Sequence, residues 1–270
     1  MKLRVLILGG TTEGRVLGER LASDPRFDVL LSFAGRTASL QRPAVPHRIG
    51  GFGGAQGLAG FLSEERFDAL IDATHPFAAQ MSSNAVSAVE RARVPLIRFE
   101  REAWRAVRGD RWSSVESMAE AAAAIGAEPR RVFLSVGRTE VGAFGAAPQH
   151  AYLIRAVDTF VPALPQARVL AARGPFTLAG ELELLMRERI ELMVSKNSGT
   201  EATVAKIHAA RELGLPVVMV ERPALPEAQL AHALEDVEAW LCALHDRASG
   251  LAGSPGSVDL AGLVDTRREE

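Results

Sequence analysis

The sequence predicts an α/β fold made of two successive series of strand–helix units with parallel sheets. Three observations carry this. First, residues 3–14 (LRVLILGGTTEG) join the apolar run Val5, Leu6, Ile7 and Leu8 to a glycine turn, Gly9-Gly10, and a helix start at Thr11, Thr12 and Glu13. The run is too short for a helix and fits a strand buried on both faces. Second, similar apolar runs recur along the chain, separated by stretches with helical periodicity. Third, Gly-Thr-Thr-Glu at 10–13, Gly-Arg-Thr-Glu at 137–140 and Ser-Gly-Thr-Glu at 198–201 each follow a predicted strand. Each sets a threonine cap and then an acid in a first helical turn. Capping alone explains this echo, so it supports strand–helix units rather than three binding sites.

The elements follow in order. The first helix carries Val16, Leu17 and Leu21 on one side. Strands are predicted at 28–34, 47–49, 68–73 and 95–99, with helices through Leu58, Phe61 and Leu62 and from Pro76 to about Ala92. A polar stretch with Arg98, Arg101, Arg105, Arg108 and Arg111, and with Trp104 and Trp112 among them, is the predicted crossover. This divides the chain into a first domain at 1–112 and a second at 113–247. The second begins with an alanine-rich helix at 115–125 and has strands at 131–136, 151–156, 169–172, 192–195 and 217–221. Its helices are predicted near 140–144, 177–189, 200–213 and 236–245, and 248–270 reads as a disordered tail.

Composition narrows the class. With 270 residues, 47% hydrophobic, the chain can bury a full core. A net charge of -2 gives no global field for nucleic acid or an acidic membrane. Cys242 is the one cysteine, which excludes a disulfide framework and a cysteine-based metal cluster. There is no signal-peptide pattern and no apolar run of membrane-spanning length, so a cytoplasmic enzyme without its own metal is the expectation.

Gly9, Gly10 and Gly14 open the first helix, with Thr11 where the dinucleotide-binding fingerprint has its second glycine. Unpartnered N–H groups and the positive end of the helix dipole make such a turn a phosphate site. NAD-binding folds of this kind place an acid about 20 residues on, to hold the ribose hydroxyls. None occurs between 29 and 42; Arg36 stands there, with Ser32 and Thr37 nearby. A guanidinium suits a ribose phosphate, which favours NADPH over NADH, unless Arg36 is simply a solvated loop residue. His75, in Thr74-His75-Pro76, is held at a strand tip because Pro76 disfavours helix before it. That tip lies close to where a nicotinamide would rest, although a lone histidine there is more often a loop hydrogen-bonder.

In the second series, Arg138, Arg173, Lys196 and Arg222 each follow a predicted strand, in loops carrying Gly137, Gly174 and Gly199. In parallel sheets these tips share one edge, where ligands bind. Four bases there favour a ligand with several carboxylates or phosphates. The alternative is local pairing with Glu140, Glu181, Glu201 or Glu221.

GGTTEG at 9–14, DATHPFA at 72–78, RGPF at 173–176 and SKNSGTEATVAKIHAARELGLPVVMVERP at 195–223 resemble the precorrin-6A reductases of cobalamin biosynthesis. The resemblance runs from about Leu3 to Pro223. It implies two Rossmann-like domains facing across a cleft, NADPH as hydride donor and a polycarboxylate tetrapyrrole as acceptor. One ring double bond would be reduced, turning precorrin-6A into precorrin-6B. Whether the ring carries cobalt stays open. The cofactor would meet Gly9, Gly10, Thr11, Thr12, Glu13, Gly14, Arg36, Thr74, His75 and Pro76. The substrate would meet Arg138, Arg173, Gly174, Ser195, Lys196, Asn197, Ser198 and Arg222. Lys196, His75 or water would supply the proton. Neighbouring pathway enzymes would hand the substrate on; nucleic acid and membrane are not expected partners. A two-domain nucleotide-sugar glycosyltransferase is the rival of a different class.

Overall fold

The computed structural model describes residues 1–35 and 44–250. The chain runs β1 (Leu3–Leu8), α1 (Thr12–Ala22), β2 (Phe27–Phe33), β3 (His47–Ile49), α2 (Gly54–Glu64), β4 (Ala69–Asp72), α3 (Ala79–Ala92) and β5 (Leu96–Phe99). It then crosses to β6 (Trp112–Val115), α4 (Met118–Ala124), β7 (Arg131–Ser135), a 3-10 segment (Arg138–Ala146), β8 (Ala151–Ala156) and β9 (Ala167–Ala171). α5 (Leu178–Arg187), β10 (Leu192–Lys196), α6 (Glu201–Glu212) and β11 (Val217–Val220) follow. The chain ends its described part with β12 (Gln229–Ala231) and α7 (Leu234–Ala248).

Two six-stranded sheets result, in the orders β12-β5-β4-β1-β2-β3 and β6-β11-β10-β7-β8-β9. The paired strands run parallel throughout, as in the β1–β2, β1–β4, β10–β7 and β10–β11 ladders. Strand β1 shows why its run is apolar without a break. Val5 and Ile7 pack with Leu17, Leu21 and Leu31 on one face, while Leu6 and Leu8 pack with Leu58, Leu70 and Val89 on the other. The second sheet is likewise covered twice, Leu134 and Val194 facing one layer and Phe133 and Met193 the other. Both faces of each sheet are closed, as parallel sheets require.

The ends of the two units depart from the sequence reading. β6, which the sequence reading did not foresee, ends on the first residue of the expected helix at 115–125 and pairs with β11, and the helix itself is the shorter α4. Ser117 ends the strand by capping α4, its hydroxyl accepting the Glu120 N–H at 3.1 Å. β12 pairs with β5 in the first sheet. Val237 and Leu241 of α7 are fully buried against Val5, Leu17 and Ile97. The last elements of the expected 113–247 unit are therefore part of the first layer system. One cap shifts: Thr11, not Thr12, caps α1, whereas Thr177 and Thr200 cap α5 and α6 as the sequence predicts. Thr139 lies inside the 3-10 segment, which starts from Gly137. Among the described residues no helix is long and apolar enough to cross a membrane, and no group of His, Cys, Asp or Glu is placed to hold a metal ion.

Leu241 is far from β1 in sequence yet shares its core. Leu241→Ala is expected to cost about 2–5 kcal/mol in urea unfolding, the range for a buried leucine. A change within error would mean α7 does not carry the first sheet.

Candidate functional site

The C-terminal tips of both sheets meet at one junction. On the first sheet, Gly9 continues the ladder, its N–H donating to Ser32 O at 2.8 Å, and Gly10 turns the chain at φ +146°. The Thr11 hydroxyl accepts the Gly14 N–H at 3.0 Å and donates to Ala73 O at 3.0 Å. The threonine in the second-glycine place is thus turned inward and tied to the end of β4. A Cβ on Gly14 would lie 2.9 Å from Ala73 Cβ, so this glycine sets the close packing of α1 on that strand. Thr12 and Glu13 N–H groups have no partner within the helix. Backbone without a side chain at Gly10, beside first-turn amides, fits the diphosphate of a dinucleotide.

Arg36 and Thr37 lie outside the described residues. At the neighbouring tips, Arg48 on β3 donates to Ser32 Oγ at 2.8 Å and Gly50 O at 3.0 Å, and its guanidinium stacks 4.0 Å from the Phe52 ring centroid. The sequence reading passed over Arg48, because nothing in its neighbours signals that β3 ends beside β2. Asp72 closes β4. Its Oδ1 accepts from the Thr74 N–H at 3.2 Å and from the Thr74 hydroxyl at 2.7 Å, and its Oδ2 lies 3.5 Å from Arg98 Nε. Thr74 therefore points inward as well. Pro76 does not begin the next helix, which starts three residues later at Ala79.

His75 accepts the Phe77 N–H on Nδ1 at 3.2 Å, which leaves the ring proton on Nε2. Burial, then the positive charges of Lys196, Arg101, Arg222 and Lys206, push its pKa down to about 3. The imidazole is neutral at physiological pH, with an Nε2–H available to donate. This shift works against His75 as an imidazolium acid, one of the two protein donors expected from sequence.

On the second sheet, Arg138, Arg173, Lys196 and Arg222 do follow tips of parallel strands, β7, β9, β10 and β11, along one edge. They are not equivalent. Arg138 and Arg173 are exposed, and Arg138 lies over the Phe160 ring. Lys196 Nζ sits 2.9 Å from both Glu140 carboxylate oxygens and 5.1 Å from the Phe77 ring centroid. Arg222 faces inward. Its Nε donates to Asn197 O at 3.0 Å, and its Nη1 donates to Glu100 Oε1 at 2.5 Å and Arg101 O at 2.8 Å. The Asn197 amide is used in both senses, accepting the Trp104 N–H at 2.8 Å and donating to Trp104 O at 3.0 Å. The buried Ser195 hydroxyl donates to Lys196 O at 3.2 Å, and Ser198 O accepts from Arg101 Nε at 2.6 Å. Arg222, Asn197 and Ser195 thus hold the edge together and do not present donors to its open side. Gly174 lies against α6, where a Cβ would come within 2.6 Å of Ala202 O.

Arg101 joins the two edges. Its Nη1 donates to Glu13 Oε2 at 2.6 Å while its Nε holds Ser198 O. Glu13, expected at the phosphates, is this tether. Gly199 completes the contact at φ +71°, where a Cβ would fall 1.9 Å from Glu102 O.

The His75 shift has a consequence for stability. From about pH 6.5 down to about 3 the unfolded chain takes up a proton that the folded chain excludes. The contribution is full above that window and is lost as pH falls through it, at ~1.4 kcal/mol per pH unit. His75→Gln should flatten this share of the slope in denaturant titrations; parallel curves for the two proteins would refute burial of a neutral imidazole.

The family model described as Precorrin-6x reductase CbiJ/CobK matches residues 4–242. A precorrin-6A reductase of Rhodobacter capsulatus is 49% identical over 241 residues, 88% of this chain and 95% of that protein. Another from Sinorhizobium sp. is 52% identical over 223 residues, 82% of this chain and 85% of that protein. The solved structure of CobK precorrin-6A reductase matches with a TM-score of 0.86 at 48% identity, covering 90% of this chain and 97% of that one. A match that begins in β1 and ends in α7 takes in both sheets and the junction between them, and the chain belongs to the precorrin-6x reductase family.

Proposed function

We propose that this chain is the cytoplasmic, NADPH-dependent reductase that converts precorrin-6A into precorrin-6B in cobalamin biosynthesis. The observation that carries the reading is the meeting of a glycine-turn edge and a basic edge at one junction. When bound, NADPH supplies a hydride. The chain's own work is placement. Gly10, Thr12 and Glu13 offer backbone to the diphosphate, with Gly9 held on the β2 ladder behind them, and Arg36 answers the ribose phosphate. Thr74, His75 and Pro76 line the nicotinamide end, with the His75 Nε2–H as a fixed donor. Arg138 and Arg173 hold substrate carboxylates from the rim, and Lys196 does so from beside Phe77. Charge-assisted bonds of this kind fix a ring in position, and hydride transfer needs reacting atoms within about 3–3.5 Å. The two relatives near 50% identity are precorrin-6A reductases by name, which favours that substrate over its cobalt form. The glycosyltransferase reading has no acid for the donor's ribose and no support from the family match.

The test is anaerobic NADPH oxidation by the purified chain with metal-free and cobalt-loaded precorrin-6A. Turnover with the metal-free ring is expected; no oxidation with either ring ends the reading. Arg138→Ala and Arg173→Ala should each weaken tetrapyrrole binding about tenfold, from the loss of a charged hydrogen bond, and leave NADPH binding unchanged. Arg36→Ala should narrow the preference for NADPH over NADH, measured as a ratio of dissociation constants. Equal affinity for both cofactors in the unaltered protein would remove Arg36 from the phosphate site.

A further inference from the structure

Reduction of a carbon–carbon double bond needs a proton beside the carbon that receives hydride. His75 is neutral, and the Lys196 ammonium is held between both oxygens of Glu140. A third cation lies behind the same edge. Lys206, on α6, is 3% exposed, and its Nζ donates to Ser135 Oγ at 2.7 Å. Ser135 is the last residue of β7, in register with Ser195 of β10, and is half-buried at the strand-tip edge.

The surroundings do not explain a lysine by stability. Its Nζ lies 5.3 Å from the Trp104 ring centroid, on the crossing segment. The charged groups around it are the Arg155–Glu181 pair, from β8 and α5, and Lys196 from β10. Taking an ammonium out of water beside two other cations is costly, and an apolar side chain of the same volume would fill this space more cheaply. Burial first, then the Arg155 charge, brings its pKa down to about 7. Both protonation states are thus available near neutral pH, as a proton donor requires.

We infer that Ser135 and Lys206 deliver the proton that completes the reduction. The inference rests on the reductase reading above. Ser135 Oγ–H protonates the ring carbon adjacent to the one that accepts hydride, as a Lys206 Nζ–H protonates Oγ. One C–H bond and one O–H bond form; one O–H bond and one N–H bond break. Both reducing electrons arrive with the hydride. Lys206 is left as a neutral amine and regains its proton from water. Ser135 is the catalytic residue here, and Lys206 acts through it.

The experiment compares the full-length protein with Ser135→Ala, Ser135→Thr and Lys206→Met in single turnovers across pH. Ser135→Ala and Lys206→Met should lower the rate about 100-fold, with unchanged dissociation constants for NADPH and precorrin-6A. Ser135→Thr, which keeps the hydroxyl, should recover most of the rate. The unaltered protein should slow as pH rises above neutrality, and this limb should vanish in Lys206→Met. Independently of turnover, tryptophan fluorescence should titrate near pH 7 in the unaltered protein and not in Lys206→Met, because Nζ faces the Trp104 ring. A Ser135→Ala protein with the original rate and pH limb overturns the proposal, and this variant decides alone if Lys206→Met does not fold. If the unaltered protein does not oxidise NADPH with precorrin-6A, the reductase reading falls and the proton pair falls with it.

Discussion

The Arg222 guanidinium is the knot on which the junction depends. The chain passes between the sheets twice, once after β5 and once after β11. Arg222, on the second passage, holds Glu100 and Arg101 on the first, and also the Asn197 carbonyl beyond β10. Only a planar fork with donors on separate nitrogens can serve a carboxylate and several carbonyls at once; a lysine would offer a single point. Each passage then adds a strand to the opposite sheet, β6 beside β11 and β12 beside β5. The sheets are therefore joined by two crossings, and the Arg222 bonds pin those crossings to each other at the tip edges.

Much of this architecture was legible because buried parallel strands must be apolar on both faces. β1, β4, β7, β10 and β11 announce themselves in this way. The exchanged strands do not. β6 reads WSSV, with its middle exposed, and β12 is three residues long. Their pairing is decided by where the crossings lead, a long-range matter that no local pattern reports. For the same reason α7 was recognisable as a helix but not as a layer on the first sheet.

The site was legible as a set of positions and less so as a set of roles. Placement of four bases on one edge follows from strand order, and the edge is there. Which of them turns inward depends on partners distant in sequence. Glu100 for Arg222 and Glu140 for Lys196 lie 122 and 56 residues away. Of the local acids offered as alternatives, Glu140 pairs with the distant Lys196 rather than with its neighbour Arg138, and Arg222 passes over Glu221 for Glu100. The side chains of Thr11 and Glu13 are likewise fastenings, to Ala73 and Arg101, which leaves only their backbone to face a ligand.

The inward charges also set the chemistry of what lies between them. Lys196, Arg101, Arg222 and Lys206 all bear on His75, and Arg155 and Lys196 bear on Lys206. Burial first, and then this field, disfavours any further positive charge, which is why one group is neutral and the other is close to losing its proton. A polyanion brought to this edge adds charge of the opposite sign at short range and raises both groups' affinity for protons. The proton donor would then be fully charged only with substrate in place. A junction built to attract carboxylates thereby also ties the proton to their arrival, with no moving part beyond the ligand itself.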